Sequence, residues 1–176
     1  FAAVSAACSM EKLCKDFAVT NFAPLRRLNC QYLVEERAVS PELVTAEGDR
    51  GLIGSDDRRL GIQVNEEDHL RLQGLDAGLC SQELLDKVDA IDTALGQTLR
   101  YAYDNRHGFL TACPTNAGTG LRVSYLMHLP GLALTRTIDQ VLQAASQMSM
   151  ATRGFFGEHS EIVGTFFQLS NQATMG

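Results

Sequence analysis

The sequence predicts an α+β protein in which helices flank a largely antiparallel sheet. Predicted strands and helices do not alternate strictly, and several strands are separated only by short loops. Parallel strands need long, usually helical crossovers, so this order favours antiparallel pairing over a doubly wound sheet. The 176 residues have the length of one domain, and no repeat or Pro/Ser-rich linker divides them. We therefore expect a single domain over residues 1–176.

Two helices and a hairpin are predicted in the first 64 residues. Apolar residues at helical spacing indicate a helix over 3–18. A second helix is expected over 24–39, with a proline in its first turn and an end before a Ser-Pro pair. The stretch 51–64 is typical of a hairpin, because two adjacent aspartates give a turn signal and apolar residues alternate after them.

The longest predicted helix covers residues 81–103. Its apolar residues form one stripe, and Ser81 offers an N-cap. The elements expected after it are two strands, a helix and two further strands, at 109–112, 121–129, 135–148, 152–156 and 161–169.

Composition and charge exclude several classes of protein. The chain is 45% hydrophobic and 20% charged, which excludes collagenous and disordered classes. A formal charge of -6 argues against binding to nucleic acid or an anionic membrane surface, which both require positive charge. The apolar runs are far shorter than the roughly 20 residues of a membrane span. Twelve of the 15 basic residues are Arg, which reflects either genomic composition or planar recognition of phosphate and carboxylate.

The five cysteines indicate neither a disulfide framework nor a zinc site. Their number is odd, and no CxxC or Cys/His metal spacing occurs. A reducing cytoplasm is therefore the expected location. The chain begins at Phe1 rather than Met, so we expect it to be part of a longer protein.

The segment NEEDHLR at 65–71 concentrates charge at the end of an alternating strand. It is either a solvated turn or an extended carboxylate pair that points to opposite faces. In the second case one carboxylate would meet the water shell of a metal ion and the other a cationic substrate. Arg71 lies an even number of residues from Glu67, so the two would share a face if the strand continued.

The segment CPTNAGTGLR at 113–122 can present main-chain N–H groups to an anion, with Arg122 adding charge at its exit. It lacks the lysine of a P-loop and does not open onto a helix. The alternative is an ordinary loop between strands. Cys113 is correspondingly either a reactive thiol or a buried small hydrophobe.

The segment RGFFGEHSE at 153–161 sets two glycines around an aromatic pair. This suggests a loop that approaches a ligand closely, with Arg153 and Glu158 as its reactive groups, or else a tight hairpin with surface charges. Among the remaining histidines, we expect His107 in a surface loop and His128 as a core imidazole within an apolar strand.

Together, and in this order, the three segments resemble the catalytic domain of the ATP:guanido phosphotransferases, the family of arginine and creatine kinases and of bacterial protein-arginine kinases. The resemblance covers about residues 30 to 176. LVEERAVSPEL, MHLP and FQLSNQATMG resemble the protein-arginine kinases, whereas GEHSE resembles the phosphagen kinases.

The resemblance implies a guanido kinase fold, similar to that of glutamine synthetase, and transfer of the ATP γ-phosphoryl group to arginine side chains in proteins. Two alternatives remain, a small-molecule phosphagen kinase and a catalytically silent nucleotide-binding relative. The cofactors would be ATP and Mg²⁺. Regulatory and protease-system partners are implied, whereas nucleic acid and membrane are not.

The same resemblance assigns roles to individual acids and to one cysteine. Glu67 and Glu158 would grip the guanidinium by paired hydrogen bonds, with Glu67 as the base. Cys113 would lie against the guanidinium as a thiolate. Glu66 would hold Mg²⁺ through water.

Nucleotide binding is assigned to arginines and to two loop segments. Arg71, Arg122 and Arg153 match phosphate-binding arginines, and His128 would lie near the adenine. Arg37 replaces a nucleotide-contacting His of the family. The remaining assigned residues are Val123, Ser124, Tyr125, Leu126, Gly154, Phe155, Phe156 and Gly157. The family's upstream SSRxR segment and any C-terminal domain are absent, so the domain is expected to be incomplete.

Overall fold

All neighbouring strands in the described residues pair antiparallel, which confirms the predicted α+β class. The computed structural model describes residues 1–153 and 164–174. Residue contacts divide the chain into two compact units. The first unit contains Phe1–Ala102 and Thr111–Cys113, and the second contains Tyr103–Leu110 and the described residues from Pro114 onward.

The first unit is built on a four-stranded sheet in the order β1-β2-β3-β4. Its strands are β1 (Ala18–Asn21), β2 (Gly51–Gly54), β3 (Leu60–Val64) and β4 (Leu70–Gly74). Its helices are α1 (Ala2–Met10), α2 (Arg27–Glu35), α3 (Pro41–Thr45) and α4 (Ser81–Thr98).

Helices cover both faces of this sheet. Successive residues of β2 point to opposite faces, and both Leu52 and Ile53 are buried. Ile53 packs in a cluster with Cys8 of α1 and Leu95 of α4. Leu52 packs in a second cluster with Leu43 of α3 and other residues. Burying each such side chain contributes about 1.5–3 kcal/mol, so the hydrophobic effect fixes the sheet between two layers of helix.

The predicted hairpin at 51–64 is confirmed as β2 and β3, but the helix boundaries differ from those predicted. The helix expected over 3–18 ends at Met10, and after a 3₁₀ turn the chain enters β1. The helix expected over 24–39 shortens to α2, and α3 follows with Pro41 in its first turn. Ser81 lies inside α4 and does not cap it.

Helix α4 ends five residues earlier than predicted. Leu99 adopts an extended conformation after Thr98. Leu99 and Tyr101 then pack against the core cluster, so burial of these two side chains accounts for the early end of the helix. The Tyr101 hydroxyl donates to the Asp92 carbonyl over 3.4 Å.

The second unit holds a two-stranded hairpin and a three-stranded sheet in the order β7-β9-β8. Its strands are β5 (Tyr103–Asp104), β6 (Gly108–Phe109), β7 (Ser124–His128), β8 (Met150–Arg153) and β9 (Phe166–Asn171). Its helices are α5 (Pro130–Leu134) and α6 (Ile138–Gln147). The single helix expected over 135–148 is therefore preceded by a separate short helix that begins at a proline.

The strands of the second unit lie near their predicted places with shifted ends. β6 ends at Phe109 and does not extend to 112, and β7 is shorter than the predicted 121–129. β8 begins earlier than predicted, and β9 extends to Asn171. Within the described residues, no helix combines the length and the apolar character needed to cross a membrane.

Candidate active site

Residues 65–69 form the turn between β3 and β4, so the structure agrees with the turn alternative for this segment and not with the extended carboxylate pair. Val64 pairs with Leu70, which leaves five residues to close the hairpin. Asn65 adopts a positive φ of 59°, a conformation that Asn tolerates better than most residues. Its main-chain N–H donates to the His69 carbonyl over 3.0 Å, and its side chain donates to the Asp49 carbonyl over 2.6 Å.

Glu66 is the buried acid of this turn. Its side chain is only 9% exposed. One carboxylate oxygen accepts the Ser40 hydroxyl over 2.8 Å, and the other lies 3.5 Å from an Arg71 guanidinium nitrogen. The ion pair of Arg71 is therefore with Glu66. Because β3 ends at Val64, the strand does not continue through Glu67, and the condition for Arg71 and Glu67 to share a strand face is not met.

Glu67 is exposed at the tip of the turn. Ser40 and Arg71 contact Glu66, whereas the Glu67 side chain is open to solvent. A carboxylate at such a place is accessible to a large cationic partner, whose guanidinium it can bind by paired hydrogen bonds.

Asp68 connects the turn to the candidate cysteine, a role that the sequence did not suggest. One of its carboxylate oxygens accepts the main-chain N–H groups of Ala112 at 2.6 Å and of Cys113 at 3.3 Å. Cys113 is half-buried and forms no disulfide. Asp68 directly follows Glu67 in the chain. Its carboxylate thus ties the turn that carries Glu67 to the main chain of Cys113.

Arg37 lies between α2 and α3 with a positive φ of 59°. Its main-chain carbonyl accepts the Gln73 side chain over 2.7 Å, which ties this residue to β4. Burial lowers the pKa of the Arg37 guanidinium, because the charged form loses water. An anion such as a phosphate would compensate that lost hydration.

In the second unit, several predicted nucleotide-binding residues share one sheet face. Paired residues of an antiparallel sheet point to the same side, and β9 pairs with both β7 and β8. The shared face consequently carries Ser124, Leu126, His128 and Arg153. The Tyr125 side chain alternates to the opposite face.

His128 is exposed, so its predicted place in the core is wrong. Its ring stacks on Phe166 with centroids 4.3 Å apart and planes inclined by 15°. An exposed, flat aromatic pair of this kind can receive another planar ring. His107 is confirmed in a surface loop, where it lies 2.7 Å from the Asp104 carboxylate.

Side chains from the end of the chain position the arginine residues of this unit. The Arg153 guanidinium donates to the hydroxyl of Ser170, which is buried. The Asn171 side chain accepts the Val123 N–H over 2.8 Å and donates to the Leu121 carbonyl over 2.9 Å. Asn171 thereby fixes the main chain on both sides of Arg122, a half-buried residue.

The loop after Cys113 is fixed by Thr174. Its hydroxyl donates to the carbonyls of Thr115 and Ala117, both over 2.9 Å, and its own carbonyl accepts the Thr119 N–H over 3.0 Å. Thr174 is only 4% exposed. Its side chain therefore holds the Gly/Thr/Asn loop in one conformation.

The predicted site residues fall into three groups. Arg37, Glu66, Glu67, Arg71 and Cys113 belong to the first unit, and Arg122, the segment 123–126, His128 and Arg153 belong to the second. Glu158 and the segment 154–157 lie outside the described residues.

The donor set around Glu66 suits a magnesium ion held through water. Mg²⁺ keeps much of its water shell and binds one or two carboxylates together with nucleotide phosphates. Each Glu66 oxygen has one partner here, so each retains a lone pair for a bound water. Among the described residues, no group of three or more His, Cys, Asp or Glu side chains is arranged around a common metal position.

Comparison with known proteins agrees with the motifs. Residues 2–176 match the family model described as the C-terminal catalytic domain of ATP:guanido phosphotransferases. A protein-arginine kinase of Moorella thermoacetica is 47% identical over 88% of this chain and 43% of its own length. That of Desulforamulus reducens is 40% identical over 96% of this chain and 47% of its own. The chain therefore spans less than half the length of these relatives.

Solved structures show the same fold. The duplicated taurocyamine kinase of Schistosoma mansoni superposes with a TM-score of 0.82 at 23% identity, over 99% of this chain and 25% of that one. A lombricine kinase superposes with a TM-score of 0.80 at 22% identity, over 99% of this chain and 52% of that one. The match of the family model to almost the whole sequence is decisive: the chain belongs to the ATP:guanido phosphotransferase family, in its C-terminal catalytic domain.

Proposed function

We propose that this chain is the catalytic part of a kinase that transfers the γ-phosphoryl group of ATP to the guanidinium of arginine residues in proteins. The observation that carries the proposal is the 40–47% identity, over most of the chain, to relatives named protein-arginine kinase. The exposed position of Glu67 supports it, because an arginine on a protein surface needs an accessible carboxylate.

The chemistry requires a group that takes a proton from the acceptor. A guanidinium has a pKa above about 12 and is a poor nucleophile in its protonated form. Glu67 accepts the proton from the attacking nitrogen as the N–P bond forms and the bond between the γ-phosphorus and the ADP oxygen breaks. Glu158 supplies the second carboxylate of the clamp, and Cys113 lies against the guanidinium as a thiolate.

The triphosphate charge is neutralised by arginines. Arg71, Arg122 and Arg153 bind phosphate oxygens, and transfer is accelerated mainly by positioning and electrostatic stabilisation. Glu66 would hold Mg²⁺ through its water shell, and the ion would supply positive charge to the triphosphate. Arg37 contributes a further cation to the nucleotide.

The base and ribose are bound by the segments on either side of these arginines. The His128–Phe166 pair offers the adenine a flat stacking surface. Main chain and side chains at 123–126 bind the nucleotide next to it, and the family resemblance assigns residues 154–157 to the same ligand. We further propose a cytoplasmic location, together with regulatory and protease-system partners, as the family resemblance implies.

The acceptor class is tested with the full-length protein and MgATP. Equal guanidinium concentrations of an arginine-rich basic protein and of free arginine are compared, and acid-labile, base-stable phosphate is measured. We expect the protein to be phosphorylated faster. Efficient phosphorylation of free arginine with none of the protein would identify a small-molecule phosphagen kinase, and no phosphorylation of either would identify a silent nucleotide-binding relative.

A further inference from the structure

A row of polar groups in the first unit connects Arg37 with Glu66, and it is half-buried apart from the fully buried Gln63. The Gln73 amide donates to the Arg37 carbonyl over 2.7 Å, and its oxygen accepts the Gln63 amide over 3.2 Å. The Gln63 oxygen in turn accepts the main-chain N–H of Ser40 over 3.4 Å. The row ends where the Ser40 hydroxyl donates to the Glu66 carboxylate over 2.8 Å.

Gln63 is unusual for its position in the core. Its exposure is 0%, and its neighbours Ile62 and Val64 in β3 are buried apolar residues. A buried amide is costly unless its donors and acceptor have partners. Here the amide nitrogen and the oxygen each have one, and both partners belong to the same row. An aliphatic residue would fill this place without that requirement, so packing alone does not account for the amide.

Ser40 has its hydroxyl orientation fixed from two sides. The oxygen accepts the Leu43 N–H over 3.1 Å and so caps α3. The single hydroxyl hydrogen is thereby left to Glu66. The start of α3 and the position of the Glu66 carboxylate are set by the same atom.

We propose that Ser40, Gln63 and Gln73 are positioning residues that hold Arg37 and Glu66 in one fixed arrangement. The inference rests on the proposed function, in which Arg37 contacts the nucleotide and Glu66 binds the water shell of its magnesium ion. A change in this row alters both the binding of the metal–nucleotide complex and the position of the Arg37 main chain. Binding of the arginine acceptor depends on the row much less, because Glu67 is outside it.

The test uses the full-length protein and the variants Ser40→Ala and Ser40→Thr. Threonine keeps a hydroxyl and caps helices nearly as well as serine. Ser55→Ala is the matched control: the Ser55 hydroxyl also donates to a carboxylate, that of Asp57 over 2.6 Å, and accepts a main-chain N–H, that of Leu60 over 3.1 Å. Ser55 precedes β3, whereas Glu66 follows that strand.

The readout is Mn²⁺ binding in the presence of ADP, followed by electron paramagnetic resonance, with thermal unfolding measured in parallel. We expect Ser40→Ala to weaken Mn²⁺ binding roughly tenfold, as for loss of a hydrogen bond to a charged group. Ser40→Thr should restore it. Ser55→Ala should lower the unfolding temperature without changing Mn²⁺ affinity. Wild-type Mn²⁺ affinity in Ser40→Ala, or an equal loss in Ser55→Ala, would overturn the inference.

A second variant tests the middle of the row. Gln63→Met keeps the side-chain volume but removes the amide, so ADP affinity without metal should also fall, because Gln73, which holds the Arg37 carbonyl, loses its own hydrogen-bond partner. An unchanged ADP affinity in a folded Gln63→Met protein would contradict the coupling. These binding measurements need no acceptor. A wild-type protein that binds Mn²⁺ and ADP but phosphorylates no arginine would therefore refute the proposed function. In that case the Ser40 and Gln63 variants would still test the positioning role of the row.

Discussion

The three adjacent acids of the β3–β4 turn occupy three different environments. Glu66 is buried beside a hydroxyl and a guanidinium, Glu67 is exposed, and Asp68 binds main-chain N–H groups of a distant segment. All three side chains are carboxylates, so only their surroundings distinguish a largely buried acid, an acid open to solvent and an acid bound to main-chain N–H groups.

At the residue scale, we predict that Asp68→Ala slows turnover more than it affects nucleotide binding. The variant removes the acceptor of two N–H groups, and hydrogen bonds to a charged group contribute about 1.5–3 kcal/mol each. Cys113 would then lose its fixed position near the acceptor. The kcat for an arginine-rich protein should fall at least roughly tenfold, since small displacements of reacting groups are costly.

Asp57→Ala is the control for this prediction. Asp57 likewise accepts two hydrogen bonds, from the Ser55 hydroxyl and the Arg59 N–H, in an exposed turn. The Asp57→Ala variant should leave kcat unchanged. If Asp68→Ala and Asp57→Ala had the same kcat, Asp68 would have no positioning role.

The arginines of the second unit give a further prediction. Arg122→Ala or Arg153→Ala should weaken ATP binding by roughly a factor of 10 or more, because each removes a charge-assisted contact to phosphate. Calorimetric titration of the full-length variants with ATP measures this directly. Arg100→Ala, a change at an exposed arginine after α4, is the control and should bind like wild type. Wild-type affinity in both Arg122→Ala and Arg153→Ala would refute their assignment.

At the scale of elements, the packing of α1 against the sheet makes the first unit sensitive to alkali. Burial, together with the neighbouring Cys14, raises the pKa of the Cys8 thiol from 9.0 to about 12. Burial also raises the pKa of Tyr101, which packs against the same cluster. In each case the folded state keeps a proton that the unfolded chain releases at lower pH.

The sign of the pH effect follows from this difference. The unfolded chain binds fewer protons than the folded one above the ordinary thiol pKa, so the free energy of unfolding should fall as pH rises from about 9 to about 12. Urea unfolding at pH 8 and pH 10.5 measures the change in the free energy of unfolding. In Cys8→Ala the difference between these two pH values should be smaller. Equal unfolding free energies at both pH values would contradict the burial of this thiol as a stability determinant.

The hydrophobic pattern predicts the elements far better than it predicts their contacts. The hairpin of β2 and β3 follows from alternation and a turn signal, which are local properties. The end of α1 at Met10 does not follow from a local pattern. The residues after it lead into β1, and β1 pairs with β2, which begins at Gly51. Here sheet pairing overrides helical spacing.

The same limit applies to the site. The acids, the cysteine and the arginines stand out in the sequence because their types and spacing are those of a known family. The positioning roles of Asp68 and Thr174 are not visible in the sequence, because these roles depend on partners 44 and 59 residues away in the chain. Residues that position a site through long-range hydrogen bonds carry no local pattern, and only the folded structure identifies them.

At the scale of the whole molecule, the net charge of -6 suits a cationic acceptor. Phosphorylation of an arginine-rich protein should therefore slow with added salt, because screening shortens the range of attraction. Initial rates at about 0.05 and 0.5 M salt, with ATP saturating at both, measure the effect; the Debye length falls from above 10 Å toward a few ångströms over this range. A rate that is independent of salt would show that long-range electrostatic attraction does not contribute to acceptor recognition.

The central claim is that Glu67 takes the proton from a protein-bound guanidinium. The most direct measurement is single-turnover phosphoryl transfer from ATP to an arginine-rich protein by full-length Glu67→Gln, beside its ATP affinity. Glutamine keeps the shape of the side chain and removes its charge, so transfer should fall by roughly 10² or more while ATP affinity stays nearly unchanged. Full phosphoarginine formation by Glu67→Gln would contradict the claim.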